Sequence, residues 1–390
     1  MKPPRPILRL PNRPYLVCHN SAIYRVAQRT VCCSYSTSSN PPPPPHAGYA
    51  LLPSRRLVSL SGPDSTHFLQ GAITANLAPS TSHTSGFYAA FLNAQGRLLN
   101  DVFIYPENTS GTESWLIEVD AKDAERLAKH IKRYKLRAKF NVKLLDEGER
   151  NIWSVWRDGD GRTGWTPHSL TSEDVTGKAR FGEGAVCCED NRAPGMGRRL
   201  ILPGGKKLEE DLEETTEESY RVRRFLKGVP EGQDELIREA ALPQESNIDY
   251  MGGIDYRKGC YVGQELTIRT HHTGVVRKRI LPVMLYGTNE AMPTALEYSP
   301  EKDLARAIPK ETSIGRFEKR GRSAGKYLTG VGNIGLGLCR LEIMTDTMAQ
   351  EEASGYKEGD EFKLEWQAEG GDVEMVKVKA FVPPWHPAKQ

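Results

Sequence analysis

The order of the periodic segments restricts the fold of this chain more than any other feature of its sequence. A short apolar strand is predicted at 56–61, and Gly62-Pro63-Asp64 then opens a helix, because proline and an acid both suit a first helical turn. Three predicted strands and an amphipathic helix follow, at 87–92, 97–105, 114–119 and 121–134. Because these strands precede the helix rather than alternating with it, the sequence predicts an α+β domain.

The last part of the chain has a different pattern. Short runs with period-two alternation predict strands at 275–285, 326–328, 336–344, 361–367 and 375–382. Several short strands with turn residues between them indicate a small C-terminal β-barrel or sandwich. The 390 residues are therefore expected to divide into a leader, an α+β region and a β-barrel domain, over 1–46, 47–274 and 275–390. Two polar stretches, near 157–184 and 203–219, are interpreted as solvated insertions.

The first 46 residues contain basic, serine and proline residues but no acid, since the first carboxylate of the chain is Asp64. This composition is typical of a mitochondrial presequence followed by a proline-rich spacer; a disordered basic tail that binds nucleic acid is the alternative. Without the leader the chain holds 47 Lys and Arg against 50 Asp and Glu, so its body is mildly acidic. That charge argues against nucleic acid as the main partner. No apolar run approaches the roughly 18 residues that a membrane helix requires, which predicts no membrane span.

Two patterns in the sequence could suggest a ligand but do not. Gly330 to Gly335 fits the dinucleotide fingerprint G-x-G-x-x-G, yet residues 338–343 alternate as a strand where the fingerprint requires a helix. Beyond the leader there are four cysteines, Cys187, Cys188, Cys260 and Cys339, and none of them forms a C-x-x-C pair. Neither a disulfide framework nor a structural zinc site is therefore indicated.

The segment Lys258-Gly-Cys-Tyr-Val-Gly-Gln-Glu265 is the strongest local candidate for chemistry. Only the thiolate form of cysteine is a nucleophile or a metal ligand, and Arg257 and Lys258 stand close to Cys260, which predicts a lowered thiol pKa. A helix over 263–270 would place Cys260 just before a helix N-terminus, with the same effect on the thiol. An inert, buried cysteine between turn glycines fits these residues at least as well, so local pattern alone leaves the role of the thiol open.

The cysteine motif belongs to a longer run that resembles the YgfZ-type family, whose hallmark is K-G-C-Y-x-G-Q-E. The matching segments of the run are 242–249, 253–269 and 274–279. Further matches lie upstream at 62–76, 92–101, 190–192 and 220–232, and downstream at 323–326 and 332–342. The resemblance covers about residues 50–385 apart from the insertions.

The resemblance implies the fold of the glycine-cleavage aminomethyltransferases, in which ring-arranged α/β subdomains surround a tetrahydrofolate pocket and a β-barrel completes the chain. Asp101 matches a region that holds adjacent acids in those enzymes, but the preceding residue here is Asn100, which puts methylene transfer in doubt. Glu245 matches a folate-contacting acid. The implied site has Cys260, Lys258 and Asp101 for chemistry, and Asp101, Glu245, Asn247, Tyr261 and Arg269 for binding tetrahydrofolate or a derivative. Arg269, Arg277, Lys278 and Arg279 would face a glutamyl tail or another anion, or form a solvated face.

The function that the resemblance implies is late assembly of 4Fe–4S clusters in the mitochondrial matrix. The protein would be an assembly factor rather than a turnover enzyme, and its partners would be A-type iron-sulfur scaffold proteins and 4Fe–4S client enzymes. Cys260 would contact iron or sulfide transiently, because permanent ligation usually takes four protein ligands. Two enzymatic alternatives remain. One is a tetrahydrofolate-dependent aminomethyl or one-carbon transferase, and the other is a Cys–His acyl-transfer enzyme that pairs Cys260 with His271 or His272.

Overall fold

The structure is a computed structural model that describes residues 40–77, 85–107, 113–159, 184–208, 212–318, 321–347, 355–368 and 370–387. The first group of elements comprises β1 (Ala47–Leu51), β2 (Arg55–Ser61), α1 (Ser65–Ala72), β3 (Phe87–Leu92), β4 (Leu98–Pro106), β5 (Ser114–Asp120), α2 (Ala124–Tyr134), β6 (Asn141–Leu144), β7 (Arg150–Arg157), β8 (Val186–Glu189), β9 (Arg198–Pro203), β10 (Glu213–Thr215) and α3 (Glu217–Lys227). The second group comprises α4 (Gln264–Thr273), β11 (Lys278–Tyr286), β12 (Ser313–Arg316), β13 (Gly325–Val331), β14 (Ile334–Arg340), α5 (Leu341–Met344), β15 (Phe362–Gln367) and β16 (Val373–Ala380).

The strands form two five-stranded sheets and a barrel. The first sheet has the order β3-β4-β5-β2-β6 and is antiparallel throughout. The second has the order β10-β1-β7-β9-β8, in which only β10 runs parallel to its neighbour β1. Strands β11-β14-β13-β12-β15-β16 close into a barrel, so the predicted α+β fold with a C-terminal β-barrel is confirmed.

The first sheet is buried on both faces. Helices α1 and α2 cover one face, where Leu69, Leu127 and Ile131 pack with Ile117 of β5. Burying one such large apolar side chain contributes roughly 1.5–3 kcal/mol, so this stripe accounts for much of the attachment of α2. The opposite face packs into the largest core of the molecule, which includes Phe103 and residues of the second sheet and the barrel. The predicted stripe of α2, namely Ala124, Leu127, Ala128 and Ile131, is buried as expected.

The barrel confirms the strand prediction and corrects its details. The dinucleotide-like segment is the tip of the β13–β14 hairpin, where Gly330 pairs with Gly335 and Gly332 lies in the turn between Val331 and Ile334. The strand predicted over 336–344 ends at Arg340, which pairs with Lys278, the first residue of β11, and the short helix α5 follows. Strand β12 was not predicted, since its four residues SIGR contain one apolar side chain and no readable period.

The stretch 203–219 is not simply a solvated insertion, as its composition predicted. Its last part forms β10, an edge strand that pairs with β1. Thr216 then caps the start of α3, because its hydroxyl accepts a hydrogen bond from the Ser219 amide at 3.2 Å. An edge strand has one neighbour and leaves side chains in water, so a charged sequence is compatible with it. The other predicted insertion, near 157–184, lies almost entirely outside the described residues.

The predicted leader over 1–46 lies outside the described residues except for 40–46, and this proline-rich end is held against the body. Trp156 Nε1 donates to the Pro45 carbonyl at 2.9 Å, and Tyr298 Oη donates to the Pro41 carbonyl at 2.7 Å. Prolines lack an N–H but keep their carbonyl acceptors, so an extended proline segment can be fixed by side-chain donors. The C-terminal end of the predicted proline-rich spacer is therefore attached to the body, and the presequence itself stays a prediction.

Within the described ranges, no helix combines the length and the apolar character needed to cross a membrane.

Candidate functional site

Cys260 lies in a loop that is fastened to the end of α1. The Asp255 amide bonds the Thr74 carbonyl at 3.0 Å, and the Val262 amide bonds the Gly71 carbonyl at 3.1 Å. The loop then turns at Gly263, whose φ is +82°, and a Cβ there would lie 2.4 Å from the Asn93 carbonyl oxygen. Only glycine fits this turn, and α4 begins directly after it. Cys260 therefore precedes a helix N-terminus, as predicted.

Lys258 anchors this loop. Its Nζ donates to the carbonyls of Gln70, Ile73 and Ala75 at 2.7, 2.6 and 2.6 Å, and it lies 4.9 Å from the centroid of the Tyr261 ring. Burial lowers the pKa of Lys258 to about 8. The ammonium thus satisfies three backbone carbonyls at and just after the end of α1. In this arrangement Lys258 is a positioning residue for the cysteine loop.

The four cysteines beyond the leader differ in exposure. Cys260 is exposed, whereas Cys187, Cys188 and Cys339 are buried. Cys187 and Cys188 are adjacent in β8 and enter two different cores, because successive strand residues point to opposite faces. Within the ranges that the structure describes, no group of three or more His, Cys, Asp or Glu side chains is arranged to hold a metal ion.

Asp101 and Asn100 do not form a pair at one site. Their side chains point to opposite faces of β4, and Asn100 Nδ2 donates to Asp123 at 2.7 Å beside α2. Asp101 is buried on the other face, where it lies 3.4 Å from Arg55 and accepts a hydrogen bond from the Gly232 amide at 3.1 Å. Burial raises the pKa of Asp101 despite the Arg55 guanidinium. A carboxylate at Asn100 would therefore not restore two adjacent acids on the Asp101 side.

Asp101 is one member of a buried charge network between the sheets and α3. The cations are Arg55, Arg192, Arg199 and Arg224, and the acids are Asp101, Glu118, Asp190, Glu231 and Glu235. Bidentate pairs join Arg192 to Asp190 at 2.8 and 2.7 Å, and Arg224 to Glu235 at 2.7 and 2.9 Å. Several of these residues lie in segments that resemble the family, but their motifs gave no indication of a network. The sequence does indicate buried charge, because charged residues lie inside apolar strands; Glu118, between Ile117 and Val119, is an example.

Glu231 is the central acid of this network. Its carboxylate contacts Arg199, lies 2.8 Å from Arg192 Nη1 and 3.7 Å from Arg224 Nε, and is 3.2 Å from the Tyr220 hydroxyl that donates to it. Burial acts to raise the pKa of Glu231, but the surrounding guanidinium groups outweigh it and hold the pKa well below its usual range. The network is thus a fixed, internally paired structural element.

The other predicted folate-binding residues do not gather in one open cavity. Asn247 is buried, donates to the Ile280 carbonyl at 2.7 Å and lies 3.3 Å from Arg279, while Tyr261 is buried beside Lys258. Arg269 is exposed on α4. Glu245 lies 3.0 Å from Lys278 and lines a cavity of about 350 Å³, together with Thr270, Arg277, Arg322 and Arg340.

The predicted cationic face is divided by the start of the barrel. Arg277 and Lys278 line the small cavity beside Glu245. Arg279 is buried instead, and its two guanidinium nitrogens each lie 2.9 Å from an oxygen of Asp249. Alternate residues of a strand point to opposite faces, which separates Arg279 from Lys278.

The histidines required by the acyl-transfer alternative lie at the far end of α4. His271 stacks on Tyr256 with ring centroids 3.7 Å apart. It follows Gln264, the first residue of the helix, by seven positions, which corresponds to roughly 10 Å along a helix axis. No hydrogen bond joins Cys260 to either histidine in the described part of the chain, so the geometry does not support a Cys–His pair.

Comparisons with known proteins agree with this architecture. The family model described as "CAF17, C-terminal beta-barrel domain" matches residues 277–388. A protein from Pyricularia oryzae named "Iron-sulfur cluster assembly factor IBA57 homolog, mitochondrial" is 53% identical over 87% of this chain and 85% of its own length. Proteins of the same name from Chaetomium globosum and Neurospora crassa are 48% and 45% identical, over 87% and 97% of this chain and 83% and 89% of theirs.

A solved structure supports the predicted fold. The glycine cleavage system aminomethyltransferase T from Bartonella henselae superposes with a TM-score of 0.59 over 87% of this chain and 86% of its own. The two sequences are 13% identical, so this similarity concerns the fold alone. It confirms the aminomethyltransferase-like architecture that the sequence resemblance implied.

Proposed function

Because this chain belongs to the family of mitochondrial iron-sulfur cluster assembly factors, we propose that Cys260 is the residue through which it handles iron-sulfur clusters. The protein is a mitochondrial iron-sulfur cluster assembly factor. We further propose that it works in the matrix at a late stage, in the formation of 4Fe–4S clusters and the maturation of 4Fe–4S enzymes.

The exposure of Cys260 carries this proposal. It is the exposed thiol among the four described cysteines, and thiolates are the usual ligands of iron-sulfur clusters. One thiolate supplies one of the ligands that a cluster needs, and the described residues offer no metal-binding group around it. The remaining ligands would therefore come from a partner that carries the cluster. An A-type scaffold protein supplying a cluster to Cys260 and then to a client enzyme fits this requirement.

Depletion of the protein in cells tests the proposed stage. We expect the activities of mitochondrial 4Fe–4S enzymes to fall several-fold while 2Fe–2S enzymes are retained, and glycine-cleavage flux is measured in the same extracts. Enzyme activities and protein abundances measured together separate cluster loss from loss of the polypeptides. Equal loss of 2Fe–2S and 4Fe–4S enzymes would contradict a late role, and selective loss of glycine-cleavage flux would favour the one-carbon transferase alternative.

Binding of tetrahydrofolate or a derivative is a second proposal, which only the aminomethyltransferase-like fold favours. The residues expected to form the site fit it poorly. Asp101 and Asn247 have partners within the protein, and Glu245 is paired with Lys278. We infer no transfer step through folate and treat any binding as inherited from the fold.

Weak folate binding is the expected result of a calorimetric titration. Because the expected polar contacts are already satisfied internally, the dissociation constant for tetrahydrofolate should be about millimolar, near −4 kcal/mol. Glu245→Gln tests whether the carboxylate contributes. A micromolar dissociation constant that Glu245→Gln weakens would contradict the poor fit, and complete absence of binding would remove folate from the function.

A further inference from the structure

A groove beside the cysteine loop is not used by the function proposed above. It has a volume of about 810 Å³ and lies between α1, α2 and the β3–β4 turn. Its lining includes the apolar side chains of Phe68 and Leu92, the cations Arg126, Lys129 and Arg133, and Val262 of the cysteine loop. One acid, Glu239, also lines the groove, so its border is mainly but not wholly cationic.

The cationic border is part of a local concentration of charge. Residues 126–139 contain seven cations and no acid, namely Arg126, Lys129, Lys132, Arg133, Lys135, Arg137 and Lys139. The chain without its leader carries slightly more acids than bases, so this segment departs from the rest of the surface. Within the described residues, Arg126 lies 3.4 Å from Asp123 and Lys129 lies 3.3 Å from Glu125. No carboxylate of these residues lies within 4 Å of Arg133. These side chains can reach a bound anion at small cost.

The same region exposes large apolar side chains. Tyr134 is 55% exposed and Val262 is 49% exposed, and both line the groove, while Leu136, two residues after Tyr134, is 84% exposed. Seven large apolar side chains are exposed in the described part of the chain, and three of them lie here. A cluster of exposed apolar residues with a charged border is typical of a protein-binding surface.

The groove borders the loop that carries Cys260. Val262 lines the groove and follows Cys260 by two residues, which can separate their Cα atoms by no more than about 7 Å. The hydrogen bonds from Lys258 and from the Val262 amide to the end of α1 fix this relation. A polypeptide bound in the groove would therefore have its neighbouring residues close to the Cys260 thiol.

We propose that this groove docks an acidic segment, carrying at least one large apolar side chain, of the protein that shares a cluster with Cys260. The carboxylates would pair with Arg126, Lys129 and Arg133, and the apolar side chain would pack between Phe68, Tyr134 and Val262. This inference rests on the proposed function, because it assigns the docking surface of the partner that the function requires. Charge complementarity selects the occupant, and apolar lining favours a protein over the uniform phosphate backbone of a nucleic acid.

A charge-reversal experiment on the full chain tests the groove. The variant Lys129→Glu/Arg133→Glu is compared with Arg306→Glu/Lys357→Glu, which changes the net charge equally at exposed positions of the barrel region. Because all four side chains are exposed, both variants should retain the wild-type Tm. The probes are a purified A-type scaffold protein carrying a cluster, a short peptide of glutamate and leucine, its lysine–leucine counterpart, and vesicles of phosphatidylcholine with phosphatidylserine.

We expect the groove variant to raise the dissociation constants of the scaffold protein and of the glutamate–leucine peptide by about tenfold or more, with the control variant close to wild type. Higher salt should weaken wild-type binding, since the cationic border is exposed to screening. The lysine–leucine peptide should not bind. Cys260→Ser should still bind both probes but should not accept the cluster, which separates docking from thiol chemistry.

Three results would overturn the docking proposal: equal affinities of the groove and control variants, no binding of either acidic probe to wild-type protein, or binding that appears only with vesicles and is lost in the groove variant. The last result would assign the surface to an anionic membrane. Binding of the peptide in the groove without binding of the scaffold protein would support the docking surface and contradict the partner named by the proposed function.

Discussion

Cys260→Ser is expected to leave a folded protein that no longer restores 4Fe–4S enzyme activity in cells depleted of the wild-type chain. Serine keeps nearly the same size and removes the soft sulfur ligand that iron prefers. Cys260 is exposed, so its replacement should change the free energy of unfolding by less than about 0.5 kcal/mol. Tm and the activity of a 4Fe–4S enzyme in complemented cells measure the two effects.

The buried cysteines provide the matched controls. Cys339→Ala and Cys187→Ala each remove a thiol from a core, where burial raises the pKa of Cys339 to about 12 and keeps it protonated. These variants should lower the free energy of unfolding modestly and still restore enzyme activity. Full rescue by Cys260→Ser at normal abundance would exclude the thiol from the mechanism and leave the cysteine loop as a docking element.

Glu231→Gln is expected to destabilise the protein more than any surface substitution. The change removes one negative charge from among Arg192, Arg199 and Arg224, and these guanidinium groups remain buried. Removing one partner of a buried charge pair typically costs about 3–5 kcal/mol, because the remaining charge is left uncompensated. Denaturant unfolding followed by intrinsic tryptophan fluorescence measures the loss, with the exposed Glu358→Gln as a control that should remain within about 0.5 kcal/mol of wild type.

The same substitution should alter the response to acid. The surrounding guanidinium groups hold the folded-state pKa of Glu231 well below that of an unfolded glutamate, which is about 4.3. Glu231 therefore stabilises the fold fully above about pH 4.3, and this contribution falls as the pH drops toward the folded-state pKa. Wild-type stability should decrease more steeply than that of Glu231→Gln below this pH. Parallel acid profiles, or a loss smaller than about 1 kcal/mol at neutral pH, would contradict the assigned role.

Prediction from the sequence was most accurate for helices and strands whose own residues show a clear period. The apolar stripe of α2 repeats with the helical period, and the alternation of β5 separates Ile117 from Glu118, so both elements could be identified from a few neighbouring residues. It missed the second sheet as a whole, and its strand β10, like β12 of the barrel, is short and forms only because neighbouring strands supply its hydrogen-bond partners. Neither segment has enough residues to display a period.

The sequence by itself determined the family, the α+β fold with a C-terminal β-barrel and the cysteine loop with its glycines, because motif identity and local periodicity are properties of adjacent residues. Only the tertiary structure decided which side chains meet. Asp101 points away from Asn100 and belongs to a charge network. Lys258 contacts carbonyls at the end of α1, and Arg133 of α2 lines the same groove as Val262. These contacts join segments far apart in the chain, and their formation depends on which faces the sheets and helices bury against one another.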